Sequence, residues 1–227
     1  MKNNKRPECA NCAIKERVCR LKDGKGPESC PTKNYQDIIE AALKEYQKPE
    51  IQEFARMASI QESECYSNRH IQPYVLHPVK PRVQEICEFA QKMGYHKLGI
   101  AFCGGLHPEA KAFSRILEAQ GFEVASVVCK AGATPKETIG INDREKVWIG
   151  RFETMCNPII QALILNQEKT DFNILVGLCV GHDSLFLKYS EAFCTVLIAK
   201  DRVLAHNPAA ALYTSSTYYA RMLRKGF

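Results

Sequence analysis

The 227-residue sequence lacks any apolar run that approaches the roughly 18 residues of a membrane-spanning helix. Its basic first seven residues are followed by no apolar stretch, so they do not resemble a secretory signal. A Walker loop and a complete dinucleotide-binding glycine motif are also missing. These absences argue against a membrane span and against the common nucleotide signatures, and they predict a cytoplasmic protein with no membrane partner.

Cysteine, in contrast, is abundant, because the chain contains 11 of them. A cytoplasmic protein keeps its thiols reduced, so this number indicates metal ligands or reactive thiols rather than a disulfide framework. Some cysteines need no chemical role. Cys87, for example, lies inside a helical pattern and is predicted to be a small core residue.

The first four cysteines lie close to the N-terminus and are separated by 2, 6 and 10 residues: Cys9, Cys12, Cys19 and Cys30. A Cys-x-x-Cys pair can chelate one metal, and two more thiolates complete the four ligands of zinc or of a four-iron iron–sulfur cluster. The segment is too short to bury a core, so a bound metal would supply its folding free energy. The single close pair and the Cys30-Pro31 step favour iron–sulfur, and zinc stays an alternative.

Most of the formal net charge of +6 also lies in this N-terminal segment. Residues 1–33 contain nine Lys or Arg against four Asp or Glu, a net charge of +5. A basic, cysteine-rich segment can bind nucleic acid, but no aromatic residue interleaves the basic ones before Tyr35. The favoured interpretation is that the cations offset the negative charge of a metal–thiolate site, so nucleic acid is not the expected partner.

Hydrophobic periodicity divides the chain into a cysteine-rich metal-binding segment (1–33), a helical linker region with two helices (34–78) and an α/β domain (79–227). In the last part, strands are predicted at 98–102, 122–128, 172–177 and 195–199, and helices at 82–93, 108–120, 158–168, 182–190 and 208–224. This alternation predicts an α/β fold with a doubly wound, mostly parallel, Rossmann-like sheet.

Four further cysteines stand beside the ends of predicted elements. Cys103, Cys129 and Cys179 follow three of the strands, and Cys156 comes directly before a helix. Because parallel strands end at one edge of a sheet, where ligands bind, the four thiols are predicted to meet in one crevice. There they would hold a second metal or cluster, or serve as reactive thiols. Burial as small hydrophobic residues is the alternative for each of them.

Other candidate residues surround this predicted crevice. Cys179, His182, Asp183 and Lys130 are the candidate catalytic residues, with His182 as a ligand or proton shuttle and Asp183 equally explained as a helix cap. Lys130, together with Lys200 and Arg202, would orient an anionic substrate. Four glycines permit a close backbone approach to a bound cofactor or phosphate: Gly104, Gly105, Gly177 and Gly181. The long connector at 131–143 is typical of a lid or binding loop.

Several motifs resemble a known family. They are Cys9-x-x-Cys12 with Cys30-Pro31, Gly99–Cys103, Val128-Cys129-Lys130, Met155-Cys156-Asn157-Pro158, Gly177–Asp183, and Lys200–Val203 with His206-Asn207-Pro208. Together they resemble an uncharacterised domain-of-unknown-function family of cysteine-rich proteins, labelled as metal-binding and found mainly in anaerobic bacteria and archaea. The resemblance implies metal binding, most directly at the four N-terminal cysteines, and an anaerobic redox setting. It implies no particular reaction.

Two functions of different kinds follow from these patterns. In the first, the protein is a redox or metallo-enzyme that acts on a small anionic molecule in the crevice, while the N-terminal cluster feeds electrons from a redox partner. In the second, it is a non-catalytic metal sensor, carrier or regulatory module with a basic, zinc-binding head. Metal-free chemistry of a nucleophilic cysteine is a third reading, and the oligomeric state is left open.

Overall fold

The structure is a computed structural model that describes residues 5–226. The chain forms two compact units that divide between Ser63 and Glu64. No helix within the described residues is both long enough and apolar enough to cross a membrane.

The N-terminal unit starts with an irregular, cysteine-rich segment and continues into helices. A short 3-10 turn covers Cys9–Asn11, and Arg17 and Lys25 form an isolated β-bridge. Three helices follow: α1 (Pro31–Asn34), α2 (Gln36–Glu45) and α3 (Pro49–Glu64). The last two are the helices that the sequence predicts. Helix α3 begins at Pro49, a position that suits proline because the N–H group of a first helical residue has no partner within the helix. Among the described residues of this unit only Cys30 and Gln61 are buried, so it contains no apolar core of its own.

The C-terminal unit alternates helices and strands. Its elements are α4 (Arg82–Lys92), β1 (Lys97–Phe102), α5 (His107–Ala119), β2 (Glu123–Val128), α6 (Pro158–Gln167), β3 (Phe172–Val176), α7 (His182–Tyr189), β4 (Phe193–Ile198) and α8 (Ala209–Tyr213). The strands form one parallel sheet in the order β2-β1-β3-β4, which confirms the predicted α/β class. The order reverses direction between β1 and β3, and ligands of open α/β sheets bind at such a reversal.

The centre of the sheet is fully enclosed. Every residue of β3 is buried, and so is all of β1 except its first residue. A buried polar residue, Asn173, lies within β3, where its Nδ2 donates to Ser190 Oγ at 2.9 Å and its Oδ1 accepts from Thr170 Oγ1 at 2.8 Å. The amide therefore fixes the start of β3 to the segment between α7 and β4.

Gly99 is expected to be essential for this packing. A Cβ atom added at Gly99 would lie 1.9 Å from Asn173 Oδ1 and 2.9 Å from a methyl group of Leu165. Gly99→Ala should therefore destabilise the protein by about 3 kcal/mol or more, the upper range for overpacking a core, as measured by denaturant unfolding. Gly104→Ala is the matched control, because its new Cβ would meet its nearest neighbour at 3.6 Å. Equal stability of the two variants would contradict this account.

The C-terminal end differs from the prediction. The helix expected at 208–224 ends after α8 at Tyr213, and the chain continues through turns to a short 3-10 helix at Ala220–Leu223. Hydroxyl groups explain the early end: Thr214 Oγ1 donates to the Ala210 carbonyl at 2.7 Å and Ser215 Oγ to the Leu212 carbonyl at 2.8 Å. A run of Ser and Thr competes in this way with backbone hydrogen bonding and weakens the helix.

Candidate functional site

Two cysteines directly follow the last residues of the neighbouring strands β1 and β2. Phe102 of β1 pairs with Val128 of β2, so Cys103 and Cys129 are the next residues on adjacent strands. The Cys129 amide donates to the Phe102 carbonyl at 2.8 Å, and the Cys103 amide donates to the Val176 carbonyl at 3.1 Å. The backbone ladder thus carries both thiols to the carboxyl edge of the sheet at adjacent positions.

A third cysteine reaches the same place from a distant part of the chain. The long connector after β2 returns to the sheet, where the Asn157 amide donates to the Cys129 carbonyl at 2.7 Å. As a result, Cys103 and Cys156 both pack against the buried cluster that contains Cys129, and each lies close enough to Cys129 for the thiols to shift one another's pKa. We call Cys103, Cys129 and Cys156 the thiol cluster. Its central member is buried and the two outer members are half-buried.

Positive charge lies against the outer thiols. Lys200, which follows β4, places its Nζ 3.1 Å from Cys103 Sγ. Lys130 and His182 contribute positive potential at Cys156. The Lys130 ammonium is also anchored, because it donates to the Thr154 carbonyl. These groups favour the thiolate form of the outer cysteines.

The three thiols consequently differ in acidity. The hydrogen bond from Cys129 lowers the pKa of Cys103 to about 4, with help from the Gly105 amide and Lys200. The same donor, together with Lys130 and His182, lowers the pKa of Cys156 to about 6. The pKa of Cys129 is raised, first because its proton is shared with the two neighbours and then because of burial. The Cys129 thiol therefore favours the thiolate form of both neighbours.

Gln161 links the two strands that carry Cys103 and Cys129, a role that the sequence does not predict. This residue of α6 is fully buried, and its Nε2 donates to the Val127 carbonyl at 2.7 Å and to the Phe102 carbonyl at 3.2 Å. It thereby joins the end of β1, one residue before Cys103, to the end of β2, two residues before Cys129. The available signal was an amide inside the otherwise apolar run of Pro158–Leu165.

Removing this amide is expected to loosen the two strand ends. Gln161→Leu should lower the free energy of unfolding by about 1–3 kcal/mol, because two buried carbonyls lose a donor. Gln167→Leu on the exposed side of the same helix is the control and should change stability little. Thermal unfolding of both variants measures the difference, and an unchanged melting temperature for Gln161→Leu would show that the tether is dispensable.

Cys179 has a different neighbour. Its Sγ accepts a hydrogen bond from Arg202 Nη2 at 2.9 Å. Among the described residues, no hydrogen bond joins Cys179 to the thiol cluster. It follows β3 after Gly177, which has a φ of +67° and whose added Cβ would lie 2.6 Å from Leu106. Gly177 is therefore required for packing. Asp183 accepts from the amides of Gly181 (3.0 Å) and Ser184 (2.8 Å), so its carboxylate holds the start of α7.

The remaining predicted residues lie at the rim of the same edge. The amide of Gly104 donates to Cys129 Sγ at 3.4 Å. A Cβ at Gly105 would lie 3.7 Å from Lys200 Nζ and 3.9 Å from Cys103 Sγ, so this glycine keeps the approach to the outer thiol open. The Nδ1 atom of His182 is buried and has no hydrogen-bond partner in the described part of the chain.

The four N-terminal cysteines also share one place. Cys9, Cys12, Cys19 and Cys30 all line a single cavity of about 160 Å³ in the N-terminal unit. Arg17 shapes its wall, since its guanidinium donates to the carbonyls of Ile14 (2.8 Å) and Cys12 (3.1 Å). Gly26 also lines the cavity, and a side chain there would collide with a ligand thiol, because an added Cβ would lie 2.8 Å from Cys30 Sγ.

These cysteines fit a metal centre in number and kind. Within residues 5–226 no group of three or more Cys, His, Asp or Glu side chains is arranged to hold a metal ion. Four thiols around one cavity are nevertheless the donor set that zinc and four-iron clusters use. A cluster places its own iron and sulfide between the thiolates, so it needs a wider spacing of sulfur atoms than an ion does. Metal binding at both cysteine groups stays a prediction.

The fold and the site together define an α/β protein with a thiol-lined sheet edge and a separate four-cysteine cavity. The profile of a protein family of unknown function, DUF1847, matches residues 30–197, and the chain belongs to this family. The uncharacterized protein MJ0455 of Methanocaldococcus jannaschii is 45% identical over 190 residues, which are 84% of this chain and 90% of the relative. No solved structure matches the chain. These matches confirm the family resemblance of the motifs.

Proposed function

We propose that this protein is a metal-binding redox enzyme whose thiol cluster acts on a small anionic molecule. One observation carries the proposal: three cysteines from distant parts of the chain lie together at the ligand-binding edge of a parallel sheet, close enough to shift one another's pKa. Burial of a single cysteine is common, but packing alone does not require the outer two to be half-buried beside cations.

The charges around the site support an anionic substrate. Lys200 and Arg202 both follow β4 and direct their cationic groups at cysteines that follow β1 and β3. No carboxylate forms an ion pair with either cation among the salt bridges of the described residues. A substrate carboxylate or phosphate would therefore find positive charge beside a thiolate.

The N-terminal cavity supports the metal. Cys9, Cys12, Cys19 and Cys30 would hold it, and Arg17 and Lys25, which also line the cavity, would offset the negative charge of four thiolates. An iron–sulfur cluster bound there would supply one-electron chemistry, whereas zinc would supply a structural tie. The lack of an apolar core among residues 5–63 favours a tightly bound group in either case.

Elemental analysis with sulfide quantitation tests the metal part of the proposal. Protein purified without oxygen should contain metal, and Cys9→Ser should remove it from the N-terminal cavity. Cys129→Ser reports whether the thiol cluster holds a second metal, and Cys87→Ala is the matched control, because Cys87 is buried in α4. If Cys9→Ser and Cys129→Ser both retained the full metal content, metal binding at either group would be disproved.

A non-catalytic metal sensor, carrier or regulatory module is the second candidate. The net charge of +5 in residues 1–33 supports it, because such a head could bind an acidic partner. A visible absorption band of anaerobically purified protein favours the redox enzyme. A colourless zinc protein that binds nucleic acid in a salt-sensitive manner favours the regulatory module.

A further inference from the structure

We infer that the thiol cluster is a thiol–disulfide exchange site for small, negatively charged disulfides, with Cys103 as the attacking thiol and Cys129 as the resolving thiol. This inference rests on the proposed function, because it names the substrate class and the chemistry of the same site.

The backbone geometry permits a disulfide between these two residues. Cys103 and Cys129 follow the paired residues Phe102 and Val128, so their Cα atoms lie about one interstrand distance apart, roughly 4.8 Å. Disulfide-bonded cysteines have Cα atoms roughly 4.4–6.8 Å apart, which includes this value. Both cysteines pack into one buried cluster, and Cys129 Sγ accepts a hydrogen bond at 3.4 Å from the amide of Gly104, the residue after Cys103. Closing the bond therefore requires no rearrangement of the sheet.

Exposure and charge assign the two roles. Cys103 is half-buried, its approach is lined by Gly105, and its Sγ receives a hydrogen bond from Lys200 Nζ at 3.1 Å. A small disulfide can therefore reach Cys103 first. Cys129 is buried at the adjacent position on the neighbouring strand, so it can reach a sulfur on Cys103 but not a molecule in solution. Exposed attacking and buried resolving thiols are the arrangement that dithiol exchange requires.

The reaction balances without any further reagent. The Cys103 thiolate attacks one sulfur of a disulfide RSSR, and the S–S bond breaks to release one thiolate, RS⁻, and leave the mixed disulfide Cys103–S–S–R. Cys129, after giving up its proton, attacks the sulfur of Cys103 and releases the second RS⁻. The protein loses two electrons and the one proton of Cys129, and the disulfide gains the two electrons. The products are the Cys103–Cys129 disulfide, one RSH and one RS⁻, which takes its proton from water.

Cys156 extends the exchange. The hydrogen bond from the Asn157 amide to the Cys129 carbonyl holds Cys156 beside Cys129, so its thiolate can attack Cys129 within the first disulfide and move the bond to the Cys129–Cys156 pair. This second step returns Cys103 to the thiolate form. The exchange thus gives a role to all three cysteines of the thiol cluster, whereas a dithiol mechanism would leave Cys156 without one.

The experiment uses the full-length chain, reduced and purified without oxygen, with two probes of opposite charge. Glutathione disulfide is anionic and cystamine is cationic. Because Lys200 lies beside the attacking Cys103, glutathione disulfide should react faster than cystamine, on the order of tenfold at low salt, and the difference should shrink in high salt. A faster reaction with cystamine would overturn the assigned substrate charge.

Peptide mapping identifies the bond that forms. Lys111, Arg115, Lys130 and Arg151 lie between the three cysteines, so trypsin places Cys103, Cys129 and Cys156 in separate peptides. The reaction should release two thiol molecules from the probe for each protein chain. Samples quenched with acid at early times should show Cys103 cross-linked to Cys129, and later samples should show Cys129 cross-linked to Cys156. Cys129→Ser, or Cys129→Ala if the serine variant folds poorly, should release one thiol and accumulate the mixed disulfide on Cys103. Cys87→Ala should behave like the natural chain.

Two failures can be told apart by measuring metal content in the same preparations. Absence of any cross-link within the thiol cluster, combined with a loss of metal in Cys129→Ser, would overturn the exchange activity and leave a metal-binding redox function standing. Absence of the cross-link with unchanged metal in every variant would overturn both. A stable mixed disulfide on Cys103 in the natural chain would overturn the resolving role of Cys129.

Discussion

Alkylation of Cys103 by iodoacetamide is expected to proceed at nearly the same rate at pH 6 and at pH 8. Its pKa of about 4 keeps the thiol ionised across this range, and the thiolate is lost only when the pH falls through that value. An ordinary thiol with a pKa of about 8.5 should react about 70-fold faster at pH 8 than at pH 6, because its thiolate fraction rises by that factor. Cys156, with a pKa of about 6, should gain about twofold.

The pH profile, rather than the absolute rate, is the diagnostic measurement. A thiolate of low pKa is a weaker nucleophile, so its greater abundance is partly offset in the rate. Cys129→Ala removes the main cause of the low pKa of Cys103 and should restore a steep rise of the rate with pH. Lys200→Met should have the same effect to a smaller extent. A steep profile for Cys103 in the natural chain would show that Cys129 does not stabilise its thiolate.

Removal of the metal is expected to unfold the N-terminal unit and to leave the C-terminal unit intact. The described part of the N-terminal unit buries only Cys30 and Gln61, whereas the C-terminal unit has an enclosed sheet. Structural zinc contributes roughly 10–16 kcal/mol to the folding of small metal-binding peptides, so its loss should exceed any stability that remains. Cys12→Ser, or a strong chelator, should therefore make residues 5–33 sensitive to trypsin.

Limited proteolysis under anaerobic conditions measures this effect. The natural chain with its metal should resist cleavage in residues 5–33, and Cys12→Ser should be cut there at least tenfold faster while the C-terminal unit stays whole. Cys87→Ala, in the other unit, should leave that rate unchanged. Equal cleavage with and without metal would mean that the cysteine cavity folds on its own.

The strand ends could be predicted from the sequence because they depend on neighbouring residues. Short apolar runs that end in Cys103 and Cys129 indicate buried parallel strands, and the register then makes those thiols neighbours. The approach of Cys156 could not be read in this way. It depends on a hydrogen bond between Asn157 and Cys129 at the end of a long connector.

Side-chain partners were harder to predict than backbone positions. The sequence placed Lys200 and Arg202 at the substrate, but it could not assign Lys200 to Cys103 and Arg202 to Cys179, since that depends on the path after β4. Gln161 was missed because an amide in an apolar helix carries no motif. The final helix was predicted too long because the apolar pattern outweighed the hydroxyl groups of Thr214 and Ser215.

The connector that joins Cys129 to Cys156 carries the protein's single tryptophan, Trp148, which is 58% exposed. Its backbone amide donates to Glu153, and the Arg151 guanidinium lies 5.9 Å from its ring centre, while most of the indole stays open to water. Intrinsic fluorescence of the whole molecule therefore originates mainly in this one segment. Any molecule that covers the segment would shift the emission to shorter wavelength, which makes the chain its own optical probe for ligand screening.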